Sequence, residues 1–195
     1  MPSHTVLIIR HAEKPLPNGD NGVDENGAPN SESLTPRGWQ RAGAWAELFV
    51  PALGHQSVLP KPDVLYASNP DHHDEATADD AGGKSRRPLE TITPLADKLG
   101  FEINQSITKR KVTDLAAAVS AASGVALVCW QHEMIIEIVN AISATLPNVP
   151  AKWPGDRFNV LFRLDRADDT TPWEFQQIVP VLLDGDSPAP IPIAT

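Results

Sequence analysis

The segment Thr5-Val-Leu-Ile-Ile-Arg-His-Ala-Glu-Lys-Pro15 joins a β-branched apolar run to a cluster of chemically capable side chains. A run of this kind, without polar alternation, is the pattern of a parallel strand buried on both faces. It ends at Arg10-His11, so a guanidinium and an imidazole are delivered at the strand's carboxyl end. From Pro15 to Ser33 the composition turns to Pro, Gly, Asn and Asp, which predicts a long loop. A helix then opens with Thr35 as N-cap and Pro36 at its first position. Trp39, Ala42, Ala46, Phe49 and Val50 recur on one face, and Pro51 stops it.

The same alternation continues along the chain. Val64-Leu-Tyr-Ala67 predicts a second strand, emptying into a polar, acidic loop from Ser68 to Ser85. Helix signals resume near Pro88 and run through Leu99, with Gly100 beyond the end. Val112 to Ala122 reads as a helix and Val125-Ala-Leu-Val-Cys-Trp130 as a strand. Met134 to Leu146 predicts a fourth helix; Phe158 to Phe162 and Phe175 to Leu183 predict two closing strands. Strands alternating with helices specify an α/β protein, a three-layer α/β/α sandwich with a largely parallel central sheet. A chain of 195 residues buries roughly 70% of its unfolded surface, enough for one core without staples. One domain over 1–195 is expected, with loop insertions at about 15–33 and 68–85. The proline-rich end, about 186–195, predicts an extended tail.

Charge and composition narrow the function classes. Sixteen Lys+Arg stand against 25 Asp+Glu, a formal net charge of −9, which disfavours nucleic acid and anionic membranes as partners. The single cysteine, Cys129, excludes an internal disulfide framework, and its apolar neighbours predict a buried, unreactive thiol. No apolar stretch reaches the ~20 residues that span a bilayer. The start of the chain has too short an apolar run for a signal peptide, so a cytoplasmic location is expected by elimination.

In open α/β sheets ligands bind beyond the carboxyl ends of the strands. Arg10-His11, the Ser68 to Arg87 segment and His132-Glu133 all fall there. Two histidines and at least two arginines suit a dianionic phosphoryl group: arginine forks pair with phosphate oxygens, and neutral imidazole accepts a phosphoryl group. Asp71-His-His-Asp-Glu75 contains metal-ligand residue types, but its irregular spacing reads as a solvated acidic loop. No metal or cofactor is expected.

These residues come in an order that resembles the histidine phosphatase superfamily, the phosphoglycerate-mutase-like proteins. Leu7-Ile-Ile-Arg-His-Ala-Glu-Lys-Pro15 is similar to the strand and Arg-His-Gly signature, with Ala12 for glycine. Leu34-Thr-Pro-Arg-Gly-Trp-Gln-Arg-Ala42 resembles the Leu-Thr-x-x-Gly-x-x-Gln-Ala segment. Tyr66-Ala-Ser68 and Arg87-Pro-Leu-Glu-Thr91 resemble two halves of one further motif, split here by an insertion. Trp130-Gln-His-Glu133 stands where the late histidine belongs.

The resemblance implies the roles. His11 is the expected nucleophile, forming a phosphohistidine. Arg10 and Arg87 clamp the phosphoryl oxygens, with Arg86 the alternative to Arg87. His132 completes the pocket, Glu133 is the expected proton donor, and Lys14 supplies an extra cation. Position 17, where an asparagine often follows the nucleophile, is proline, so Asn18 substitutes or the contact is absent. The implied activity is metal-independent hydrolysis of a phosphomonoester or phosphohistidine, on a phosphorylated small molecule or phosphoprotein. The alternatives are a mutase-like phosphotransferase and a catalytically weak phosphate-binding module.

Overall fold

The computed structural model describes residues 4–52, 55–70 and 85–193. The Asp71 to Glu75 stretch and most of the second expected insertion lie outside them. Six strands and four helices follow in the order β1 (His4–Arg10), α1 (Pro36–Phe49), β2 (Val64–Ala67), α2 (Arg87–Leu99), β3 (Ile103–Asn104), α3 (Val112–Ala121), β4 (Gly124–Trp130), α4 (His132–Ile142), β5 (Leu161–Arg166) and β6 (Glu174–Ile178). The sheet order is β3-β2-β4-β1-β5-β6. Its first four strands are parallel, and β5 and β6 add an antiparallel edge. The architecture is the expected α/β/α sandwich.

Strand pleating sorts the core into two layers. Val6 and Ile8 of β1, with Ala126, Val128 and Trp130 of β4, face Val112, Leu115 and Val119 of α3 and Ile135, Ile138 and Val139 of α4. Leu7, Ile9, Leu127 and Cys129 face the opposite way, against Trp45 and Phe49 of α1 and Ile92 and Leu95 of α2. Each such large side chain, once buried, contributes roughly 1.5–3 kcal/mol. Because β1 is covered on both faces, its run needs no polar alternation. Cys129 is fully buried, and loss of hydration pushes its thiol pKa well up, so it is no ready nucleophile.

Helix boundaries follow local chemistry. Thr35 Oγ1 accepts from the Gly38 amide at 3.2 Å and caps α1. Gly100, at φ 67°, adopts the left-handed conformation that ends α2.

Three expectations need correction. Helix α4 spans His132–Ile142, beginning and ending earlier than expected, so His132 and Glu133 lie in its first turn. The strand expected at Phe158 begins instead at Leu161, because Phe158 packs against Arg10 and Asn159 donates to the Pro180 and Ser187 carbonyls. Strand β6 covers only Glu174–Ile178, and two residues on stands Pro180, which has no amide to pair. The two-residue edge strand β3 is too short to leave a periodic signal. The proline-rich end has no regular structure but is pinned down: Ile191 is buried and exchanges hydrogen bonds with the Gln177 side chain.

Candidate active site

The parallel pairing of β1 with β4 sets Arg10 opposite Trp130, so both strands deliver their next residues to one crevice. The His11 amide donates to the Trp130 carbonyl at 3.0 Å, extending the ladder one residue beyond the strand. The Ala12 amide donates to Thr91 Oγ1 at 2.9 Å, and that hydroxyl donates to the Arg87 carbonyl at 2.7 Å. Thr91 therefore fastens the His11 loop to the first turn of α2.

His11 is buried, and its Nδ1 lies 2.7 Å from the Ala12 carbonyl. A carbonyl only accepts, so Nδ1 carries the proton and Nε2 presents a lone pair. Burial, and then the positive charge of Arg10, push the imidazole pKa down to about 3; Arg87 and His132 act in the same direction. The ring is neutral at physiological pH, and its Nε2 lone pair needs no base to free it.

Arg10 is 1% exposed. Its Nη1 donates to the carbonyls of Gly155 at 2.8 Å and of Pro154 and Arg157 at 3.3 Å. The guanidinium centre lies 3.9 Å from the Phe158 ring centroid. Among the described residues Nε and Nη2 have no hydrogen-bond partner, although both are buried. Burial lowers the pKa to about 10, leaving the cation intact at neutral pH. Two unpaired donors on the same fork match two oxygens of one oxyanion.

His132 sits with its ring centroid 6.4 Å from that of His11, the planes at 81°. Its Nδ1 is 3.0 Å from Glu133 Oε2, a close polar contact that is not aligned as a hydrogen bond. Glu133 also meets Lys109 Nζ at 2.9 Å. His132 first, and Lys109 after it, hold the Glu133 carboxyl well below the usual range, against the opposing effect of partial burial. The free protein therefore presents Glu133 as a carboxylate.

The two candidate arginines of α2 point differently. Arg86 is turned outward, with Nη2 3.1 Å from both Glu25 oxygens and Nε 3.3 Å from Glu90. Arg87 faces inward and adds to the positive field at His11. Its nitrogens are engaged by the Ser31 and Ser33 carbonyls at 2.6 and 3.3 Å and by Ser85 Oγ at 3.1 Å. Glu90, itself buried, anchors that loop by accepting from Ser33 Oγ at 2.7 Å and the Leu34 amide at 2.9 Å.

Lys14 and Asn18 are exposed. Lys14 lines a cavity of about 350 Å³ beside the crevice, together with Leu16, Arg37, Gly155 and Phe158. Sequence reasoning missed Thr91, Phe158 and Glu90 as parts of the site. Only Thr91 carried a signal, its i+4 spacing from Arg87. Among the described residues no group of three or more His, Cys, Asp or Glu could hold a metal ion, and no helix is long and apolar enough to cross a membrane.

No family model and no curated protein matches the sequence. Solved structures do match the fold. A protein histidine phosphatase, SixA, in complex with tungstate is 13% identical, with a TM-score of 0.52, over 90% of this chain and 96% of that one. A mycobacterial glucosyl-3-phosphoglycerate phosphatase in complex with VO3 is 14% identical, with a TM-score of 0.50, over 91% of this chain and 98% of that one. At these identities the likeness is one of fold, and it runs nearly end to end. In fold, the chain is similar to these two phosphatases.

Proposed function

We propose that the chain is a phosphatase that hydrolyses a phosphomonoester or a phosphohistidine through a phosphoryl group carried on His11. The observation that carries this reading is the pairing of a neutral His11, its Nδ1 committed to Ala12, with two buried donors of Arg10 that have no partner among the described residues. The two solved phosphatases described above hold metal oxyanions, tungstate in one and VO3 in the other. That supports an oxyanion as the ligand here.

In the first step the Nε2 lone pair attacks phosphorus in line. The bond from phosphorus to the leaving oxygen or nitrogen breaks, and the leaving group departs with the electron pair. Arg10 Nε and Nη2 hold two equatorial oxygens, Arg87 adds positive charge beside them, and the His132 ring lies alongside. This is catalysis by positioning and charge stabilisation. In the second step water attacks phosphorus, the Nε2–P bond breaks, and the imidazole returns to its neutral form.

Glu133 is the proton carrier of this scheme. Because it starts as a carboxylate, it is ready to take the proton of the attacking water. Donating to the leaving group requires the incoming dianion to raise its pKa first. Leaving groups that need little protonation, such as an imidazole or a phenol, therefore suit the site better than an alkoxide. The cavity beside Leu16 and Phe158 gives such a group somewhere to lie. Lys14, at its rim, meets an anionic leaving group, and Arg86 stays outside the chemistry.

The test is a phosphatase screen on small phosphate esters and a phosphohistidine protein, with His11→Ala as control and one arm in EDTA. Turnover that vanishes in His11→Ala and persists in EDTA is expected. Equal activity in wild type and His11→Ala, or none in either, overturns the reading.

A further inference from the structure

A buried ion triad lies directly behind the proposed site and takes no part in the steps above. Arg41, on α1, is 2% exposed. Its Nε lies 3.0 and 3.1 Å from the two Glu13 oxygens, and its Nη2 lies 2.8 Å from Glu13 Oε1. Nη1 and Nη2 also donate to the two oxygens of Asp186, at 2.8 and 2.7 Å. Every nitrogen of this guanidinium is directed at a carboxylate. Asp186 accepts in addition from the Leu182 and Leu183 amides, both at 3.0 Å, so the carboxylate is built into the C-terminal segment.

The triad's position gives it a bearing on the anion site. Glu13 follows His11 by two residues, and its backbone is locked: the Thr35 amide donates to its carbonyl at 3.0 Å. At Gly38 any Cβ would fall 2.7 Å from that carbonyl oxygen, so α1 can approach so closely only through a glycine. Arg41 lies 5.9 Å from the centroid of the Phe158 ring against which Arg10 packs. The Glu13 charge is felt at Arg10. An uncompensated carboxylate here would compete with the phosphoryl group for Arg10 and repel it.

We infer that Arg41 is a positioning and charge-masking residue: it cancels the Glu13 carboxylate behind the nucleophile loop and ties that loop to the C-terminal segment through Asp186. The inference rests on the proposed reading only in taking the anion at Arg10 to be the phosphoryl group. Buried ion triads are poor stabilisers compared with apolar packing, so stability alone does not account for one at this place. Its effect belongs to ground-state anion binding, hence to KM more than to kcat.

The probe is inorganic phosphate, with affinity read by calorimetry or phosphorus NMR and p-nitrophenyl phosphate kinetics alongside. Arg41→Met is expected to weaken phosphate binding about tenfold, because it removes one positive charge at close range, leaving Asp186 without its Arg41 partner and Glu13 to the more exposed Arg37, 3.5 Å away. KM should rise while kcat changes less. Adding Glu13→Gln to Arg41→Met should restore phosphate affinity, which no purely structural role predicts. If Arg41→Met does not fold, Glu13→Gln alone decides, since removing the negative charge is expected to tighten phosphate several-fold. Unchanged affinity in Arg41→Met, an unrescued double variant, or weaker binding in Glu13→Gln overturns the inference. Wild type that binds no phosphate overturns the proposed function together with it; wild-type binding with a flat variant series overturns only the masking role.

Discussion

Replacing Arg10 with lysine removes the fork and keeps the charge, which separates geometry from electrostatics at the proposed anion site. Nε and Nη2 are buried donors without partners among the described residues, while Nη1 is held by the Pro154, Gly155 and Arg157 carbonyls. Each charge-assisted hydrogen bond to an anion is worth about 1.5–3 kcal/mol. A lysine ammonium recovers the Coulombic attraction and at most one of the two bonds, and it loses the packing on Phe158. The expected loss is therefore about 2–4 kcal/mol, or roughly 30- to 700-fold in phosphate affinity. Titration calorimetry with inorganic phosphate reads it directly, and vanadate inhibition provides a second measure. Melting curves give an independent check. Phosphate at about 100 times Kd should stabilise wild type by about 2.7 kcal/mol. For a domain of this size that raises Tm by roughly 5–10 °C. Arg10→Lys should show little of that rise. Phosphate binding within about twofold of wild type would refute the assignment of the free donors to an oxyanion.

The remaining predictions concern His11, Glu133 and Thr35. The imidazole pKa is about 3 in the folded protein against 6.5 ordinarily, so between these values only the unfolded chain takes up the proton. That cost is absent above about pH 6.5 and grows as pH falls, reaching about 2 kcal/mol at pH 5. Denaturant titrations should therefore show a flatter pH dependence between 7 and 4.5 for His11→Gln than for wild type; parallel curves would remove the neutral, buried nucleophile. Glu133→Gln should slow hydrolysis of alkyl phosphates more than that of p-nitrophenyl phosphate, because a poor leaving group needs the proton. Equal losses on both would take Glu133 out of proton transfer. Thr35→Ala removes the cap of α1 and should cost about 1 kcal/mol. An unchanged melting temperature would show that cap to be dispensable.

Strand β1 was legible because a strand covered on both faces is apolar along its buried run, and Val6 to Ile9 is. Helix α1 was legible because Thr35 and Pro36 act through local backbone chemistry and Pro51 marks where the run stops. The order Arg10, His11, then Arg86 or Arg87, then His132 could be read along the chain, since parallel β/α units deliver their next residues to one edge. Phe158 and Asn159 misled because their apolar and polar pattern suits a strand, while their partners, Arg10, Pro180 and Ser187, lie far away in sequence. The adjacent pair Arg86 and Arg87 was not separable from composition. Which of them turns inward depends on helix phase and on Glu25 and Glu90 drawing Arg86 outward.

Local propensity and periodicity thus determined the layers, the elements and the edge at which the polar residues meet, because these depend on near neighbours and on one buried face. Only the tertiary structure decided the protonation of the site. His11 is neutral because it is buried beside Arg10, Glu133 is ionised because His132 and Lys109 face it, and Arg41 is spent because Glu13 and Asp186 converge on it. Charge state is set by solvation and by distances between residues remote in sequence, and neither is written in the order of the residues.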